Sequence, residues 1–210
     1  MLMSLSVTGY MKQYYRGNVF GATSNGRAGY GPKNLLSADM KAIRRAVKDL
    51  GGYDYEEGEG SELMNKVQAF VDTYNHYVDS AKGIDDPDMK RYLTKLKKLT
   101  KENADEFSEI GITIQSSGKL KVDKKALQDT GRYQVSKLFA KDAEFSQQAD
   151  LWMKRTDHMV MRKNLTATKQ EPSKKTENRQ AADPQALGMD AQLAQQLGLA
   201  LSGNQIDYSV

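Results

Sequence analysis

Apolar side chains recur three or four positions apart in three long segments of the chain, and this spacing constrains the fold more than any other feature. The segments span residues 35–50, 63–78 and 89–110. Side chains with this spacing share one face of an α-helix. The three segments therefore predict amphipathic helices that bury one face each in a small helical bundle.

Capping residues indicate where these helices begin. We expect the first helix to begin near Ser37 and the second near Ser61, because serine is a favoured N-cap. The third is predicted to begin at Asp86, since an N-cap residue followed by Pro87 is a common helix start. The short connection between the first two helices favours an antiparallel pair.

The periodicity changes from helical to alternating between residues 112 and 122. Ile112 and Leu120 lie in short alternating runs on either side of a turn that contains Gly118. This pattern predicts a β-hairpin. Asp123 is then expected to cap a short helix whose Leu127 faces the core. A looser apolar spacing after residue 131 predicts further helix.

Both ends of the chain lack this order. Residues 1–34 carry five glycines between positions 17 and 31, together with several tyrosines, which predicts a flexible arm that becomes ordered on a partner. We expect the core to span residues 35–163, followed by a disordered polar linker over 164–185. Residues 186–210 form a short amphipathic segment in which Leu193 and Leu197 are candidate contact residues.

The composition excludes several kinds of site. There is no cysteine, so disulfides, thiolate metal sites and a cysteine nucleophile are excluded, and the two histidines cannot form a multi-histidine metal centre. No apolar run approaches the roughly 20 residues of a membrane-spanning helix, and no cleavable secretory signal is recognisable. No spacing of residues predicts a catalytic centre, so we expect neither enzyme activity nor a cofactor.

Charge is unevenly distributed along a chain whose net charge is only +4. Residues 52–62 include five acidic and no basic residues, whereas residues 87–101 include six basic residues and one acidic residue. A solvated acidic turn and a solvated basic helix face are the simplest interpretations. The alternative is that the basic helix and the basic stretch 154–179 contact nucleic acid.

Residues 64–140 resemble the C-terminal region of one family, the flagellar hook-associated protein 2 or filament-cap family. Three motifs carry the resemblance: a helix with the pattern V-x-x-F-V-x-x-Y-N-x-x-V, the run F-S-E-I-G-I-T, and the run G-K-L-K-V-D-K-K-A-L. A V-x-x-L-F segment follows them. The residues that match are Phe70, Tyr74, Asn75, Ile110, Gly111, Ile112, Gly118, Leu120, Asp123, Leu127 and Phe139.

The resemblance implies a non-enzymatic structural protein that associates with itself or with flagellar axial proteins. It also implies an extracellular position in the flagellum, reached by type III export. The alternative is a cytoplasmic helical regulatory or nucleic-acid-associated protein, with nucleic acid the less expected partner. Overall, the sequence predicts a mainly α fold with one short β-hairpin.

Overall fold

The computed structural model describes residues 5–163 and confirms a mainly helical fold with one two-stranded hairpin. Leu193, Leu197 and the predicted segments 164–185 and 186–210 lie outside the described residues. Within residues 5–163, no helix is both long and apolar enough to cross a membrane.

The helices are α1 (Val7–Tyr14), α2 (Ser24–Arg27), α3 (Pro32–Gly51), α4 (Gly60–Lys82), α5 (Pro87–Glu102), α6 (Ala104–Glu109), α7 (Lys124–Asp129), α8 (Arg132–Phe139) and α9 (Glu144–Lys163). A 3₁₀ turn spans Val19–Ala22. The strands are β1 (Ile112–Ile114) and β2 (Leu120–Val122).

The long helices α3 and α4 form the predicted antiparallel pair. Gly83, which follows α4, packs against the ring of Pro32 at the start of α3. The expected start at Ser37 is wrong, because Pro32 has a backbone suited to the first turn and begins the helix after Gly31. Ser61 does not cap α4 either, since its hydroxyl donates to the carboxylate of Glu59.

The predicted start of α5 is confirmed. The carboxylate of Asp86 accepts hydrogen bonds from the backbone N–H groups of Asp88 and Met89, and Pro87 occupies the first turn. The apolar residues that follow residue 131 form two helices, α8 and α9, with a break between them. The hydroxyl of Ser146 donates to the carbonyls of Leu138 and Phe139 across this break.

Four phenylalanines hold α4, α6, α8 and α9 together. Phe70 and Phe139 meet edge to face with ring centres 4.9 Å apart, and Phe107 and Phe145 meet in the same way at 5.0 Å. All four side chains are buried. Edge-to-face contacts of this kind add to the free energy gained by burying the rings.

The hairpin has the predicted position. Ile112 pairs with Val122, and Ile114 pairs with Leu120, in antiparallel strands. Gly118 closes the turn with a φ of +81°, a conformation that side chains oppose.

The prediction of a flexible arm over residues 1–34 is wrong for residues 5–34, and the expected core boundary at residue 35 is wrong with it. Tyr10, Tyr14 and Tyr15 of this segment are buried, with Tyr14 and Tyr15 only 1% and 0% exposed. Gly21 lies so close to the Tyr15 ring that a Cβ atom there would be 2.5 Å from it. At this position, glycine permits close packing.

Replacing Tyr14 with alanine tests whether the N-terminal segment belongs to the core. Removing a fully buried aromatic ring should lower the free energy of unfolding by about 3 kcal/mol or more. Tyr133→Ala is the matched control, since Tyr133 is 70% exposed and its loss should change stability by less than about 0.5 kcal/mol. Chemical denaturation measures both. Equal stability of the two variants would mean that the segment does not support the core.

Gly118→Val should destabilise the hairpin by about 1–2 kcal/mol, because an L side chain opposes a positive φ. Gly60→Val is the control, since Gly60 has open space around it and no positive φ. Thermal melting followed by circular dichroism measures the difference. A Gly118→Val protein as stable as the Gly60→Val protein would disprove the turn conformation.

Candidate interaction surface

The motif residues that carry the family resemblance all take part in the scaffold. Seven of them are buried, namely Phe70, Tyr74, Ile110, Ile112, Leu120, Leu127 and Phe139. Gly111 and Gly118 have a positive φ. Asp123 caps α7 by accepting hydrogen bonds from the N–H groups of Lys125 and Ala126, as predicted.

Asn75 fastens the hairpin to α4. Its side-chain amide nitrogen donates to the carbonyl of Leu120 at 2.8 Å, and its oxygen accepts from the Leu120 N–H at 2.8 Å. These two bonds pair the backbone N–H and C=O groups of Leu120, which β1 leaves without a partner in the strand ladder. The nearby Tyr74 hydroxyl contacts the Thr100 hydroxyl of α5 at 3.1 Å. Adjacent motif residues therefore attach α4 to two different elements.

A buried polar cluster fastens the N-terminal segment to α3 and α4. Arg27 forms two parallel hydrogen bonds to the fully buried carboxylate of Asp39, at 2.6 and 2.9 Å. The Tyr15 hydroxyl donates to the same carboxylate at 2.6 Å. The Tyr15 oxygen lies 3.1 Å from Nδ1 of His76 on α4. Because the hydroxyl proton is already given to Asp39, Nδ1 of His76 must be the donor in this contact.

His76 is held in its neutral form by this environment. Burial and the positive charge of Arg27 lower its pKa from 6.5 to about 4. Its side chain lines a cleft of about 310 Å³ together with Thr8, Met11 and Asp72. The His76 side chain is half-buried, and no local sequence pattern predicts its contact with Tyr15.

A second polar cluster lies nearer the other end of α4. The Tyr14 hydroxyl donates to Asp49 at 2.7 Å, and Lys66 pairs with both Asp49 and Glu62 at 3.0 and 3.1 Å. The Tyr10 hydroxyl donates to Glu62 at 3.1 Å. All three buried tyrosines of the N-terminal segment thus donate to a carboxylate on α3 or α4.

Cationic, aromatic and thioether side chains meet at the surface where α5 packs on α9, and the aromatic ones are half-buried. The indole ring of Trp152 has Lys95 Nζ 4.4 Å and the Arg155 guanidinium 5.0 Å from its centre. Tyr92 lies beside the indole, with the ring centres 6.3 Å apart. We call this group the cationic surface, and its residues are Tyr92, Lys95, Trp152, Arg155, His158, Met159, Met161 and Arg162.

The cationic surface is shallow, and several of its charges lack an acidic neighbour. A depression of about 650 Å³ is lined by six of its residues, including Arg155 and Arg162. Neither arginine, nor Lys95, forms an ion pair with another residue in the range 5–163. Met161 is 65% exposed beside them. A surface that combines arginine, aromatic and methionine side chains has the composition of a protein interface.

Among residues 5–163, no group of three or more histidine, cysteine, aspartate and glutamate side chains is placed to hold a metal ion. His158 is exposed on α9. Residues 26 and 27, part of a glycine-rich run that is too irregular for a phosphate loop, lie in α2, where Arg27 binds Asp39.

Comparison with known proteins gives no further guide to the site, because no family model, no curated protein and no solved structure matches this chain.

The neutral His76 should make the stability of the protein depend on pH. Since its pKa is about 4 in the folded protein and about 6.5 in the unfolded chain, the unfolded chain binds a proton more readily. Stability should therefore fall as the pH drops from about 6.5 to about 4, by about 3 kcal/mol at most from this group.

Chemical denaturation of the wild-type protein and His76→Gln across this pH range measures the effect. As the pH falls, the free energy of unfolding should decrease more for the wild-type protein than for His76→Gln. A difference that stays constant with pH would show that His76 is not kept neutral by the fold.

Proposed function

We propose that this protein is a non-enzymatic assembly protein that resembles part of the flagellar filament cap and acts by binding other proteins. The cationic surface carries this proposal. It presents a half-buried Trp152, the exposed Met161 and arginines without an ion pair to any residue in the range 5–163, on a shallow face rather than in an enclosed pocket. Shallow faces of this composition suit a protein partner, in which arginine and tryptophan supply much of the binding energy.

The role of the family motif supports the same proposal. Asn75 joins the hairpin to α4, Gly118 closes its turn, and Asp123 caps the helix α7 that follows it. A motif whose residues have structural roles is typical of a structural protein, whose activity lies in the surfaces that the scaffold presents. The resemblance implies flagellar axial proteins or further copies of this chain as partners, and the flagellum as the location.

A cytoplasmic nucleic-acid-associated protein is the second candidate, and one observation favours it. Lys95 on α5 and Arg155 on α9 lie on either side of the helix contact together with an aromatic residue, as in surfaces that bind single strands. However, both cations already contact the Trp152 ring, so a base would have to displace one of them in order to stack there. The protein partner therefore has the stronger support.

Met161→Asp tests the proposed function. Sedimentation velocity of the full chain, alone and mixed with flagellar axial proteins, should show complexes that this substitution weakens roughly tenfold or more, since it places a charge in an apolar contact. Val19→Asp is the matched control, because Val19 is also an exposed apolar residue, at 53%, but lies in the N-terminal segment.

Two results would contradict the proposal. One is a chain that sediments as a monomer both alone and in the mixtures. The other is binding of a single-stranded DNA oligonucleotide that weakens steeply with salt and is lost on reversing the charge of Arg155, with no protein complex formed.

A further inference from the structure

We infer that the cationic surface of one copy of this protein binds the acidic loop of a second copy, so that copies join head to tail. By the acidic loop we mean residues 52–59, with the carboxylates of Asp54, Glu56, Glu57 and Glu59. This inference rests on the proposed function and names the partner. It follows from the charge, exposure and position of the two surfaces.

The acidic loop offers exposed carboxylates that form no ion pair within residues 5–163, although Arg132 lies beside the loop. Asp54, Glu56, Glu57 and Glu59 are all exposed, and none forms an ion pair with another residue of the described range 5–163. The Asp54 carboxylate accepts hydrogen bonds from two backbone N–H groups of the loop. The glutamates are thus available to a partner.

Contacts with the rest of the bundle fix the loop. The Tyr53 hydroxyl donates to the carbonyl of Glu59 at 2.8 Å, and the Tyr55 hydroxyl donates to the carbonyl of Leu50 at 3.0 Å. Arg132 of α8 donates to the carbonyl of Gly58 at 2.7 Å. A loop held in this way loses little conformational freedom on binding, which favours association.

The two surfaces lie too far apart to meet within one molecule. The acidic loop precedes α4, whose 23 residues extend about 34 Å away from it. The far end of α9 lies beside the start of α5, which follows α4 after four residues, since Lys163 pairs with Asp86 and Asp88. The other end of α9 lies near Gly51, the last residue of α3, because Gly51 contacts Lys141, three residues before α9 begins. The cationic surface on the second half of α9 is therefore displaced from the acidic loop along the bundle.

A contact between two different surfaces of identical chains is heterologous. Such contacts continue from copy to copy and produce rings when the rotation between copies closes, or filaments when it does not. Exposed charges are screened by salt, so the association should be strongest at low ionic strength. The exposed Met161 and the half-buried Tyr92 add apolar area to the cationic surface.

Charge reversal of each surface tests the inference on the full chain. The surface-reversed protein carries Arg155→Glu and Arg162→Glu, and the loop-reversed protein carries Glu56→Lys and Glu57→Lys. Lys12→Glu with Lys125→Glu is the control for the change in charge, because both lysines are exposed and distant in sequence from either surface. Melting followed by circular dichroism verifies that each variant folds.

Sedimentation velocity at about 0.05 M and about 0.5 M salt measures the association. Wild-type and control proteins should form oligomers at low salt. Each reversed protein alone should associate at least roughly tenfold more weakly, because like charges then face each other. An equimolar mixture of the two reversed proteins should recover association, since every contact in an alternating chain joins opposite charges.

Other results separate failure of this inference from failure of the proposed function. If surface reversal abolishes complexes with axial proteins but loop reversal has no effect on self-association, the second copy is not the partner, while the protein-binding function stands. A wild-type chain that stays monomeric at low salt also overturns the inference. If the same surface instead binds a single-stranded DNA oligonucleotide and forms no protein complex, both proposals are overturned.

Discussion

The structure depends on one buried carboxylate. Asp39 of α3 is fully buried, and it is balanced by the bidentate guanidinium of Arg27 and by the hydroxyl of Tyr15. An isolated charge at this depth would be strongly unfavourable, and losing one partner of a buried pair typically costs about 3–5 kcal/mol. The N-terminal segment must therefore stay in place for this carboxylate of α3 to remain paired.

Scaffold and contact surfaces use different residues of the same helices. On α4, Phe70 packs in the aromatic cluster and Asn75 holds the hairpin. On α9, Phe145 packs in the same cluster, whereas Arg155 and Met161 face outward. Because the hairpin, the N-terminal segment and α9 are all fixed against α4, the acidic loop and the cationic surface are presented with a fixed separation. That rigidity is what the proposed assembly function requires.

The sequence predicted the features that depend on near neighbours. The α5 start at Asp86, the hairpin with Gly118 and the cap at Asp123 are each set by residues within a few positions, and all three are confirmed. The N-terminal segment was missed because its stability comes from distant partners. Tyr15 and Asp39 are 24 residues apart, and Tyr10 and Glu62 are 52 apart, so no local sequence pattern predicts these contacts. The density of glycines suggested flexibility, whereas Gly21 in the structure leaves space for the ring of Tyr15.

Hydrogen–deuterium exchange of the backbone amides at the end of α1 and in Tyr15, which follows it, tests most directly whether the N-terminal segment belongs to the core. The amide of Tyr15 donates to the carbonyl of Met11 at 3.0 Å in a buried environment. We expect the amides of Tyr14 and Tyr15 to exchange as slowly as those in the centre of α4, because exchange at both places requires opening of the same core. Exchange of these two amides within seconds, while α4 stays protected, would show that the N-terminal segment is not part of the folded unit.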